Sequence, residues 1–208
     1  MSRKRVAVLI SGRGSNMAAL IEAAKDKNYP AEIALVVSNV ADAGGLATAR
    51  ANGIATAVVE HMKFGKPPNL DRAAFERALQ AALEQHTIEI VCLAGFMRLL
   101  TADFVGKWNG RMLNIHPALL PEFKGLDTHK RALAAGAKLH GATVHFVAAE
   151  MDSGPIVAQE AVAVHSGDTE ETLAARVLAV EHRIYPKALK ILAEGGLPHD
   201  SVIPSNEP

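Results

Sequence analysis

Short runs of β-branched and other apolar residues alternate along this chain with longer segments rich in alanine and leucine, and this alternation constrains the fold most. Strands of a parallel sheet are covered on both faces and read as continuous apolar runs, while the helices that return the chain between them read as amphipathic segments. The runs predict strands at residues 6–10, 33–38, 56–60, 88–93, 112–115, 142–147 and 156–164. Apolar positions at helical spacing predict helices over 15–27, 44–51, 71–85, 102–107, 130–135 and 169–193. The expected fold class is α/β, a mostly parallel twisted sheet with helices on both faces. Asp71 and Asp168 stand at two of the helix starts, where each is expected to accept from free backbone N–H groups.

The 208 residues suffice for one domain with a substantial core. A proline-rich polar stretch, 195–208, reads as a tail. Lysine plus arginine (22) equal aspartate plus glutamate (22), and no run of like charge suggests a nucleic-acid partner. The one cysteine, Cys92, lies inside an apolar run and is expected to be a buried structural thiol. The apolar stretch 6–10 is too short for a signal-peptide core or a membrane span, so a cytoplasmic protein is predicted.

Functional residues of an open parallel sheet collect beyond the carboxyl ends of its strands, where the strand order reverses. Ser11-Gly12-Arg13-Gly14-Ser15-Asn16 follows the first strand and opens a helix, so its backbone N–H groups and the helix dipole suit an anion. A dinucleotide fingerprint would place a glycine at Met17 and an acidic residue after the second strand, where Ser38-Asn39 stands. The Gly-Lys-Ser/Thr ending of an ATP or GTP loop is also absent. A phosphosugar fits better. A plain strand-to-helix turn is the other explanation of these glycines.

The segment Leu113-Asn114-Ile115-His116-Pro117-Ala118-Leu119-Leu120-Pro121 carries the sharpest signal. Asn114 and His116 are two apart on an extended segment and project from one face. Acyl transfer needs a donor for the oxyanion and a group that shuttles a proton, which an amide and an imidazole supply. Met151-Asp152-Ser153-Gly154 lies in the turn after the strand holding His140, Thr143 and His145. An aspartate beside His116 would favour its protonated form. Taken singly, His116 reads as a structural histidine and Asp152-Gly154 as a turn. No Gly-x-Ser-x-Gly elbow, His-Glu-x-x-His spacing or cysteine pair points to a serine triad or a metal.

Together Ser-Gly-Arg-Gly-Ser-Asn, Ala94-Gly95-Phe96-Met97-Arg98-Leu99-Leu100, Asn-Ile-His-Pro-Ala-Leu-Leu-Pro and His140-Gly141-Ala142-Thr143-Val144-His145-Phe146 resemble the glycinamide ribonucleotide transformylase family, in the family's order. The likeness extends to Glu181-His182-Arg183-Ile184-Tyr185-Pro186. It implies a formyltransferase fold with a Rossmann-like N-terminal half: a domain over 1–194, phosphate-binding to about residue 100 and folate-binding and catalytic from about 101. It implies transfer of formyl from 10-formyltetrahydrofolate to the amine of glycinamide ribonucleotide in purine synthesis, without metal or ATP, by a monomer or homodimer working on small molecules.

By the same resemblance Asn114 stabilises the oxyanion, His116 passes the proton and Asp152 tunes the histidine. Gly14, Ser15 and Asn16 hold the substrate phosphate, and Glu181 matches a substrate-contacting position whose other role is a solvated helix charge. Arg72, Met97, Arg98, Leu99 and Leu100 match folate-site positions, with core packing an equal explanation of Phe96 and Leu100. Ala148, Ala149, Glu150 and Met151 line the pterin side beside Asn114 and Asp152, Ala149 standing where relatives often carry an acidic residue. Gly125-Leu126-Asp127-Thr128-His129 matches a mobile family loop.

Methionyl-tRNA formyltransferase and formyltetrahydrofolate hydrolase are same-fold rivals. Their additional domains and the neutral charge set them apart from this chain in expectation. A non-catalytic phosphosugar- or folate-binding module is the remaining alternative, and it would have no use for a proton shuttle.

Overall fold

The computed structural model describes residues 2–65 and 69–196, so most of the expected tail lies outside the described residues. The chain divides into two compact units, the second beginning at Leu113.

In the first unit, β1 (Lys4–Ile10), β2 (Ala31–Ser38), β3 (Ala55–Val58) and β4 (Ile90–Leu93) pair in parallel in the order β3-β2-β1-β4. Val6 to Ile10 have no exposed surface, as two-sided burial of a parallel strand requires, whereas β3 at the edge is only partly covered. Helices α1 (Ser15–Ala24), α2 (Gly44–Ala51) and α3 (Arg72–Gln85) follow the first three strands, and α4 (Ala102–Lys107) follows β4. Asp71 caps α3 as expected, accepting from the Ala74 N–H at 2.8 Å. Cys92 is fully buried. The third strand, predicted to run to residue 60, stops at Val58, and a 3₁₀ turn, His61–Phe64, follows. Because β1 has β2 on one side and β4 on the other, the strand order reverses at β1. The loops after β1 and β4 therefore flank a switch point.

The second unit is antiparallel. Strand β5 (Met112–His116) pairs with β6 (Leu139–Phe146), and β6 with β7 (Ile156–Ala163). Only residues 147–155 join β6 to β7, too short a connection for a parallel crossover. A short helix, α5 (Thr128–Ala134), lies between β5 and β6, and α6 (Glu170–Ala193) packs along β6 and β7. Leu173, Val177, Val180, Ile184 and Ala188 recur at three- and four-residue steps and form the buried stripe of α6. Each large aliphatic side chain so buried contributes roughly 1.5–3 kcal/mol.

Asp168 departs from expectation. Thr169 is the cap of α6, in a reciprocal capping box with Thr172. The Asp168 carboxylate instead accepts from the His165 N–H, from the Thr172 hydroxyl and from both Nη atoms of Arg176. That fork holds its pKa well below the usual carboxylate range.

Candidate active site

In the first unit the chain leaves β1 through Ser11 to Gly14 and enters α1. Gly14 takes φ +74°, a left-handed conformation that glycine adopts without strain, and its carbonyl accepts the first helical bond from Ala18. Ser15 and the buried Asn16 open the helix, where the first N–H groups have no partner within the helix itself. The loop is buttressed from a direction that the sequence did not suggest. Gly45, at the start of α2, donates its N–H to the Gly12 carbonyl at 3.0 Å. A Cβ on Gly45 would lie 2.5 Å from Ile10 Cδ1 and within 3.3 Å of the Gly12 and Arg13 carbonyl oxygens. The signal available in the sequence was the Gly44-Gly45 pair opening a helix.

Ser11 ties this loop to the one after β4. Its N–H donates to the Gly95 carbonyl at 3.1 Å, and its hydroxyl accepts from the Met97 N–H at 2.8 Å while donating to Asn39 Oδ1 at 2.5 Å. Met97 and Leu99 expose more than half of their surface, Arg98 and Leu100 are half-buried, and Phe96 is buried. Phe96 is thus a packing residue and Met97 and Leu99 are open to a ligand. At the opposite end of this segment the Glu76 carboxylate, itself buried, accepts from the Thr101 N–H and hydroxyl. Arg72 is exposed at the first position of α3.

In the second unit Asn114, His116 and Asp152 do come together. The β5–β6 register sets Asn114 opposite His145 and His116 opposite Thr143. His116 is buried, with Nε2 3.0 Å from the Phe123 carbonyl oxygen and Nδ1 3.4 Å from Asp152 Oδ2. Since a carbonyl can only accept, Nε2 carries a proton, and Nδ1 faces a carboxylate. Asp152 sits in the turn after β6 at φ +50°, and its Oδ2 also accepts from the Gly125 N–H at 2.9 Å. Gly154 lets that turn close: a Cβ there would meet the Phe146 carbonyl oxygen at 1.8 Å.

His145 is the member that sequence reasoning missed. Burial pushes its imidazole below the ordinary range, against the opposing pull of the Phe146 carbonyl and Asp152. In the neutral ring Nδ1–H donates to the Phe146 oxygen at 2.8 Å, which leaves Nε2 as an acceptor for Asn114 Nδ2 at 3.2 Å. The Asn114 amide is thereby oriented, with one N–H held and one to spare. Asp152 Oδ1 lies 3.7 Å from His145 Nε2, so one carboxylate stands between two imidazoles.

The segment after His116 is pinned by polar side chains of the same unit. Thr143 donates to the Ala118 carbonyl and accepts from the Leu120 N–H, Gln159 donates to the Leu120 carbonyl, and Thr128 donates to the Pro117 carbonyl. Leu120, Pro121, Lys124, Asp152, Ser153, Gly154 and Ile156 line a cavity of about 140 Å³ beside the carboxylate. Ala148 is half-buried, while Ala149, Glu150 and Met151 are exposed. Glu181 is buried on α6, at 8 % exposure, which excludes a solvated helix charge.

A family model described as formyl transferase matches residues 4–189. The chain belongs to the formyl transferase family. Phosphoribosylglycinamide formyltransferase of Escherichia coli K12 is 44% identical over 192 residues, which cover 92% of this chain and 88% of that protein. The trifunctional purine biosynthetic protein adenosine-3 of Bos taurus is 50% identical over 195 residues, 94% of this chain, but the chain spans only 19% of that protein's length. Among solved structures, phosphoribosylglycinamide formyltransferase from Brucella melitensis superposes with a TM-score of 0.87 at 55% identity, covering 94% of this chain and 98% of that one. The formyl transferase match spans both units and so includes the glycine loop and the histidine cluster.

Proposed function

We propose that this formyl transferase family member moves the formyl group of 10-formyltetrahydrofolate to the amine of phosphoribosylglycinamide, giving formylglycinamide ribonucleotide for purine synthesis in the cytoplasm. The observation that carries it is the placement of the His116 ring, its Nε2–H held by the Phe123 carbonyl, and an oriented Asn114 amide on one strand face, with Asp152 behind the ring. The names of relatives covered over most of their length point to the same acceptor.

In this mechanism the amine attacks the formyl carbon, forming a C–N bond and a tetrahedral oxyanion. The spare Asn114 N–H donates to that oxyanion, in a site where preorganised donors act without reorganising. His116 relays a proton from the attacking nitrogen to the departing folate nitrogen, so that the bond to formyl breaks without building negative charge there. Asp152 stabilises the ring while it is charged. No group is oxidised or reduced, and the step needs neither ATP nor a metal.

Gly14, Ser15 and Asn16 bind the ribonucleotide phosphate through the start of α1, and Glu181 contacts the same substrate. Arg72, Met97, Arg98, Leu99 and Leu100, with Ala148, Ala149, Glu150 and Met151, take the folate, its flat ring and glutamate tail suiting apolar and basic side chains. The contacts of residues 148–151 run through backbone.

One assay tests the whole assignment: purified protein with 10-formyltetrahydrofolate and, in turn, phosphoribosylglycinamide, charged initiator tRNA and water. Formylated ribonucleotide is the expected product. Formyl-aminoacyl-tRNA, or tetrahydrofolate with free formate, would identify a same-fold rival instead, and no product at all a binding module.

A further inference from the structure

The loop running from Pro121 into α5 touches both the buried histidine and its carboxylate partner. Its Phe123 carbonyl accepts from His116 Nε2, and its Gly125 N–H donates to Asp152 Oδ2. Phe123, Gly125 and Asp127 take φ of +51°, +82° and +56°. Two of these residues carry a Cβ, and such a conformation persists only where the surroundings hold it.

Arg131 of α5 supplies the hold. Its Nη1 donates to the Lys124 carbonyl at 2.6 Å and reaches the Leu126 carbonyl at 3.3 Å. Its guanidinium lies over the Phe123 ring, 5.7 Å from the centroid, while His140 meets that ring edge-on with centroids 5.8 Å apart. The side chain thus grips Phe123, whose carbonyl meets His116, and residues 124 and 126 on either side of Gly125, whose N–H meets Asp152. Surface arginines ordinarily reach for carboxylates, and this one is committed to the backbone of a loop.

We propose that Arg131 is a positioning residue, which sets the loop backbone that holds His116 and Asp152 in register with each other. The effect on turnover rests on the function proposed above, while the effect on the histidine ring does not.

The test uses the full chain with Arg131→Ala and Arg131→Lys. Alanine keeps helix propensity, so the melting temperature is expected to stay within about 2 °C. In Arg131→Ala kcat should fall about fivefold with KM for both substrates within about twofold, since a loosened catalytic ring costs transition-state and not ground-state binding. Arg131→Lys should recover part of that loss, because an ammonium can reach the carbonyls but cannot stack on the ring. The imidazole ¹⁵N resonances of His116, read without substrate, should shift or broaden in Arg131→Ala. Wild-type kcat together with unchanged His116 resonances would overturn the inference. So would parallel loss of kcat and melting temperature, which lysine fails to rescue. If the wild-type protein forms no formylated ribonucleotide, the proposed function fails, and the His116 resonances still decide the role of Arg131.

Discussion

Residues 11–14 leave Gly12 and Arg13 exposed and depend on backbone: a left-handed Gly14, a helix start, and the Gly45 N–H against the Gly12 carbonyl. Around His116 the materials are reversed. There the buried rings of His116 and His145 meet the partly buried Asp152 carboxylate, and main-chain groups of Phe123, Gly125 and Phe146 orient them. A site made of backbone tolerates changes of side chain and fails when a Cβ intrudes. A site made of buried side chains fails when one functional group is removed, because its partner is then left unpaired away from water.

The largest expected effect breaks the second region. His116→Ala should lower kcat about 10³-fold, within the range of general acid–base catalysis, while leaving KM for the ribonucleotide nearly unchanged. Asp152→Asn keeps an oxygen for the Gly125 N–H and loses the charge, so a loss of about 10²-fold in kcat is expected. Steady-state kinetics with both substrates varied checks both, and full activity in both variants would refute the assigned roles.

The first region should break in the opposite manner. Gly45→Ala forces a Cβ against Ile10 and the loop carbonyls, an overpacking of about 2 kcal/mol that should appear as a KM for ribonucleotide raised about 20-fold. A change confined to kcat would show that the loop does not hold the phosphate.

A third test sharpens the contrast through pH. Burial, reinforced by the nearby His129 and His116, pushes the His140 imidazole down to about 4. Folding therefore keeps it neutral where the unfolded chain would protonate it. Its contribution is complete above the unfolded value near 6.5 and is lost as pH falls from there toward 4, since the unfolded state binds the extra proton. The melting temperature should fall by about 5 °C between pH 7 and pH 5, and His140→Gln should flatten that fall. The smallest effect belongs to Ser11→Ala, which removes the hydroxyl linking Met97 to Asn39. At about 1 kcal/mol it should raise KM for the folate substrate about fivefold, measurable in the same assay.

Asn114 and His116 were legible because two-residue spacing on a strand places side chains on one face whatever surrounds it. The glycine loop was legible for a similar reason, since apolar run, glycines and helix start are contiguous. Asp152 was reached only through resemblance, its position depending on how the turn after β6 folds back. His145 escaped because nothing local distinguishes it from His140 on the same strand; only the register that sets it opposite Asn114 does. Gly45 escaped because it acts on a loop distant in sequence, and Arg131 because its hydrogen-bond partners are backbone carbonyls, which carry no side-chain signal. Asp168 was misjudged by one position: two adjacent residues, Asp168 and Thr169, both suit a helix start, and Arg176 two turns further on recruits the aspartate.

The sequence by itself determined the α/β class, nearly all element positions, the buried character of Cys92 and the strand face shared by Asn114 and His116. These follow from periodicity and turn chemistry, which act over a few residues. Tertiary structure alone decided that β5, β6 and β7 run antiparallel, that Glu181 is buried, that His145 is neutral and orients Asn114, and that Asp152 reaches His116. Each of those outcomes depends on strand register, loop closure or exclusion of water, and contacts between residues far apart in the chain set all three.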